Sequence, residues 1–232
     1  MSLVNYLRQK SGSWLAIKSI LFVLIWAGVY TILILSNAKI VEPGTPALSN
    51  ARLIVSNLHN QLYFFAPLLI VSSLLFFSRP QSVEFFYLTL KKRLRQYLLI
   101  YTILETILLI SSFLLSFVIS AFVTKAPLAS QIGLETLLLL AHYLGVFALL
   151  FFLETAIFLA GKLRAGAAIE ALLLLDAFCL DRLGWSVFLN HGLAIVPGQG
   201  FFVTAPAVYL AYDLLLYYYL ASRAFYQEVK YA

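Results

Sequence analysis

Residues 97–123 read YLLIYTILETILLISSFLLSFVISAFV, and just upstream stands the basic run Lys91-Lys92-Arg93-Leu94-Arg95. In these 27 residues Glu105 is the one charged side chain. About 20 apolar residues suffice to cross a hydrocarbon core as a helix. A bilayer offers no water to loose backbone groups, so a run of this kind has to be helical. A β-barrel would show alternating segments of about 10 residues instead, and no such alternation is present. The stretch therefore predicts a transmembrane helix with a basic flank at its start.

The same pattern repeats outward in both directions. Span one is expected from about Trp14 to Ser36, span two from Leu62 to Phe77, span three from Tyr97 to Val123 and span four from Leu134 to Ala160. Span five begins near Ala165 and weakens at Asp181-Arg182. The apolar piece Trp185 to Val196 is too short to cross and reads as a re-entrant hairpin or an interfacial piece. Span six follows from Phe202 to Ala221. Residues 1–13 predict a short amphipathic helix lying on the membrane. The stretch with Pro43, Gly44, Pro46 and Asn50 reads as an external loop, and Ser78-Arg79-Pro80 as the stop after span two. The expected architecture is all-α: one transmembrane domain over 1–232, six spans, an N-terminal amphipathic helix, and a hairpin between spans five and six.

Composition agrees. Hydrophobic residues make up 62% of the 232 and charged residues 11%, against roughly 25% charged in soluble domains. The mean hydropathy is +0.94. The net charge of +6 fits the positive-inside bias of membrane proteins rather than nucleic-acid binding. Of the 16 lysines and arginines, 12 fall on one side of the expected topology: Arg8, Lys10, Lys18, Arg79, the 91–95 cluster, Lys162, Arg164, Arg223 and Lys230. Lys39, Arg52, Lys125 and Arg182 fall on the other. Both termini are expected in the cytoplasm, with the protein in the cell membrane. No cleavable signal peptide is expected, since the first apolar run is too long for one. The lone Cys179 excludes an internal disulfide.

Catalytic patterns are missing. There is no His-Glu-x-x-His, no Gly-x-Ser-x-Gly, no metal-ligand spacing and no phosphate-binding loop. An enzyme is not expected, and no cofactor is expected in this chain. His59, His142 and His191 sit in different segments, and His142 reads as a packing residue of span four. Asp176 and Asp181 are five residues apart and lie on different helix faces. Tyr217, Tyr218 and Tyr219 fit an interfacial belt.

Acids inside the spans carry more information, because a charge at the helix centre costs roughly 2.5–3.5 kcal/mol on translocon scales. Glu105 lies 10 residues after Arg95, Glu154 10 before Arg164 and Asp213 10 before Arg223. At 1.5 Å per residue each is about 15 Å from its arginine. The three are expected in one layer, either as interhelical hydrogen-bonding groups, with partners such as Thr106, Thr155 and Tyr212, or as the lining of a polar pathway.

Residues 80–95 are the most distinctive loop. Val83, Phe86, Tyr87, Leu90 and Leu94 recur at helical spacing and lead into the basic cluster. Taken alone, such a helix docks on a partner protein or rests on anionic lipid. Together with the order of the other segments, it resembles the membrane subunit of type-2 ABC exporters, small six-span permeases that work with a separate ATPase. The resemblance covers the layout of nearly the whole chain. It implies that Glu84, Phe85, Phe86, Tyr87 and Leu88 belong to a coupling helix that docks on an ATP-binding cassette ATPase, with ATP and Mg on that partner. Leu88-Thr89-Leu90-Lys91 stands where the family usually has a proline-and-arginine turn. The resemblance also implies a second permease subunit, identical or not, completing a dimer. Other classes in view are a proton-coupled secondary transporter, against which the lack of internal repeats counts, and the substrate-binding membrane subunit of an ATP-driven importer.

Overall fold

The structure, a computed structural model, describes residues 3–40, 45–57, 60–77, 94–125, 127, 132–160 and 162–183. Among them there are helices and no strand. The helices are α1 (Leu3–Ala38), α2 (Ala47–Ser56), α3 (Ala66–Phe76, led in by a π-helical turn over Gln61–Phe65), α4 (Leu94–Thr124), α5 (Ile132–Ala160) and α6 (Lys162–Leu183). Three stretches are long and apolar enough to cross a membrane: Leu15–Ala38, Gln96–Thr124 and Glu135–Ile157. The spans expected at 14–36, 97–123 and 134–160 fall on these helices. The hairpin after span five, span six, the 80–93 part of the amphipathic segment, and His59 and His191 lie outside the described residues.

Two expectations are corrected. The amphipathic N-terminal segment is not a separate helix, since Leu3–Ala38 runs unbroken. Nothing in Ser11-Gly12-Ser13 stops it; a single glycine costs about 1 kcal/mol and no proline is present. The external loop holds helix α2, which starts directly after Pro46. Ala47, Asn50, Ala51, Ile54 and Val55 are all buried, and their spacing is that of one helical face. The span expected at 62–77 falls on a shorter apolar helical stretch, Tyr63–Phe76, whose first part is a π turn. Pro67 has no N–H to donate, and the wider π turn just before it accommodates the break.

Helix α6 has 22 residues, long enough to cross, but six of them are charged. Its buried face is Gly166, Ile169, Leu173 and Asp176, and it packs on α3 and α5. A Cβ placed on Gly166 would sit 3.0 Å from Leu74 Cδ1, so α3 and α6 approach closely there.

The largest interface joins α1 to α4. Ser112, Ser116 and Ser120 form a buried stripe of small side chains along α4, the pattern that lets membrane helices meet at short range. Ser116 Oγ bonds across to the Ala27 carbonyl at 2.8 Å. Trp26, Tyr30, Phe65, Phe113 and Tyr143 continue the core as a chain of ring contacts. Large apolar side chains such as Ile20, Leu24, Ile107, Phe122 and Leu140 face outward, as helices with lipid around them require.

The two ends of the bundle can be told apart. At one end the Ala47 N–H donates to the Pro127 carbonyl at 2.9 Å. The segments after α1 and after α4 therefore share that end. At the other end α3 stops at Phe77, beside Tyr97 near the start of α4.

Candidate functional site

Glu105 on α4 and Glu154 on α5 are fully buried. Ser73, from α3, donates to Glu105 Oε2 at 2.5 Å. Thr102, from α4, donates to Glu154 Oε2 at 2.7 Å. Thr102 and Glu105 are three residues apart and share a helix face, so the Thr102 bond sets Glu154 opposite Glu105. Three helices thus meet at one polar layer. A buried carboxyl group is costly unless hydrogen-bonded, and the two hydroxyls satisfy one oxygen of each. Glu105 Oε1 and Glu154 Oε1 have no hydrogen-bond partner among the described residues. No ion pair involves either acid there. Asp213 lies outside the described residues.

A second polar cluster fixes the end that carries α2. Glu135 is in the first turn of α5, where the helix dipole favours a negative charge. It accepts Ser49 Oγ at 3.0 Å and pairs with Arg52. Asn37 donates to Asn50 Oδ1 at 2.6 Å, and Asn50 donates to the Ile34 carbonyl at 3.2 Å. Helices α1, α2 and α5 are pinned together by these bonds.

The opposite end is held by rings. Phe77 and Tyr101 stand edge to face at 5.3 Å, Phe77 and Tyr97 at 6.3 Å, and Phe76 and Tyr101 at 6.2 Å. Phe22 of α1 joins through Phe76 at 5.5 Å. Such pairs contribute about 0.5–1.5 kcal/mol each beyond area burial. The ends of the intervening segment, at Phe77 and Leu94, are thereby held near each other. Glu84, Phe85, Phe86, Tyr87 and Leu88 fall inside that segment and outside the described residues.

His142 is buried against Tyr143, with 5.2 Å between ring centres. It lines a cavity with Trp26, Tyr30, Phe65 and Leu109 that has room for no more than about one water molecule. Asp176 is buried on α6, and the side chain of Asp181 lies outside the described residues. No group of three or more metal-ligating side chains occurs among the described residues.

Of the partners expected for the acids, Thr106 and Thr155 donate instead to the Thr102 and Phe151 carbonyls of their own helices, and Tyr212 lies outside the described residues; sequence reasoning missed Ser73, Thr102 and the Arg52–Glu135 pair. Ser73 and Thr102 gave no signal of their own, since which hydroxyl meets which acid depends on the relative rotation of helices. Glu135 did give one, as an acid in the opening turn of a long apolar run. The chain matches no known family model, no curated protein and no solved structure.

Proposed function

We propose that this chain is the permease subunit of an ATP-driven exporter: a six-span protein of the cell membrane with both termini cytoplasmic, paired with a second permease and driven by a separate ATPase. The observation that carries this reading is the aromatic clamp of Phe76, Phe77, Tyr97 and Tyr101. A segment that transmits a partner's motion needs both of its ends tied to the spans it moves. Residues 78–93 lie in sequence between the two sides of that clamp. They carry the acid, the aromatics and the basic run that docking on an ATPase calls for. Among the described residues the cavity beside His142 is too small for a substrate, which favours a pathway between two subunits with closed two-fold or pseudo-two-fold symmetry.

The test is a double substitution, Glu84→Ala with Phe85→Ala, in the complex purified from membranes. The expected result is normal insertion and folding with loss of the copurifying ATPase, or of transport coupled to ATP hydrolysis. Buried aromatics are common anchors at interface centres. A double variant that keeps its ATPase and transports normally would reduce this segment to a lipid-surface helix. Inside-out vesicles then separate the classes: ATP-dependent uptake marks an exporter, and transport driven by a proton gradient alone marks a secondary transporter.

A further inference from the structure

We infer that Glu105 and Glu154 form a binding site for one small monovalent cation, a proton or a sodium ion, held between their two unpartnered oxygens at the junction of α3, α4 and α5. The site stands whether or not an ATPase drives the protein. Both side chains are fully buried. Each has one oxygen satisfied by a hydroxyl, from Ser73 or Thr102, and one with no hydrogen-bond partner among the described residues. Unpartnered carboxylate oxygens are rare in a packed interior, because each loses its water without replacement. Two buried carboxylates in one layer add the repulsion of like charges. One positive charge placed between them removes both penalties at once.

Among the described residues no such charge stands against the two acids. Helix α3 contributes only the Ser73 hydroxyl, and no charged residue occurs over 60–76. Helix α6, packed on α3 and α5, adds the acids Glu170 and Asp176. Lys18, on α1, forms no ion pair with either glutamate. The arginine of the one ion pair described, Arg52, sits with Glu135 at the α2 end. Carboxylate and hydroxyl oxygens are hard ligands, suited to a proton or an alkali ion rather than to a soft metal. Because the two ligand oxygens come from α4 and α5, and Ser73 of α3 holds Glu105 in place, occupancy ties these helices together.

Thermal unfolding of the purified protein in detergent tests this in two arms. In one, sodium is replaced by N-methylglucamine at constant ionic strength. In the other, pH is varied from mildly acidic to mildly alkaline without sodium. The melting temperature is expected to fall by about 2–4 °C or more when the relevant cation is withdrawn, and the responding arm identifies it. Glu105→Gln and Glu154→Gln are each expected to abolish the response, since one neutral amide removes the charge excess. Should either variant misfold, wild-type protein treated with a hydrophobic carbodiimide answers instead: mass spectrometry is expected to find the adduct on Glu105 or Glu154, and the adduct to eliminate the response. A melting temperature that is flat in both arms, or a response that survives in the variants or the adduct, overturns the site.

Discussion

The two ends of the bundle are fastened by different chemistry. At the α2 end the ties are directional: an ion pair, three side-chain hydrogen bonds and a backbone bond between loops. At the Phe77 end the described ties are ring against ring. Hydrogen bonds weaken steeply with angle, so the first end resists any change of helix orientation. Aromatic contacts persist over a range of offsets and tilts, so the second end can slide and stay closed. A rigid end and a compliant end suit a molecule that is pushed from one side of the membrane.

The sharpest way to break this comparison is to ask which end faces out. In a Cys179→Ala background, Ile40→Cys is expected to react fully with an impermeant maleimide added to intact cells, while Arg164→Cys stays unlabelled. Both positions are exposed. The reverse pattern would put the rigid end on the cytoplasmic side and remove the mechanical argument.

Next in size is the ion pair. Glu135→Ala takes from Arg52 its carboxylate and from Ser49 its acceptor, where the paired side chains are only 14% and 10% exposed. A loss of about 3 kcal/mol is expected, at the low end for a buried pair. Chemical denaturation in mixed micelles measures it. The double variant Arg52→Met, Glu135→Leu is expected to recover most of the loss, because it replaces both charges of a poorly hydrated pair with apolar side chains. A single variant as stable as wild type would show that the α2 end is not rigid for this reason.

A smaller effect is expected at the compliant end. Phe77→Ala is expected to cost about 2 kcal/mol, below the range for soluble cores, because lipid is as apolar as the site it replaces. If the clamp transmits motion, the same variant lowers transport more than it lowers stability. Equal loss of both, measured on one preparation, would make Phe77 an ordinary packing residue.

How much of this was legible in the sequence depends on the distance over which each feature is encoded. Spans three and four were legible because their signal is local and cumulative: Tyr97–Val123 and Leu134–Ala160 fall within helices Leu94–Thr124 and Ile132–Ala160. Equal counts from Arg95 to Glu105 and from Glu154 to Arg164 set the two acids at one depth, a reading that needs only helical rise. Helix α2 was hidden because Pro43, Gly44 and Pro46 read as turn chemistry. The helical period of Ala47, Ala51 and Ile54 behind them is too short to outweigh it. Ser73 and Asn50 were out of reach, since a polar side chain in a helix does not announce its partner 32 or 13 residues away.

A methyl group on Gly166 would sit 3.0 Å from Leu74 Cδ1, so the end of the Leu74 side chain has to give by a few tenths of an ångström to admit it. Larger additions at position 166 call for volume surrendered at position 74, or for α6 to tilt away from α3. A lineage that acquires alanine at 166 tolerates it most readily after trimming residue 74. The crossing thus makes the order in which mutations arrive, and not only their identity, part of what this chain can become.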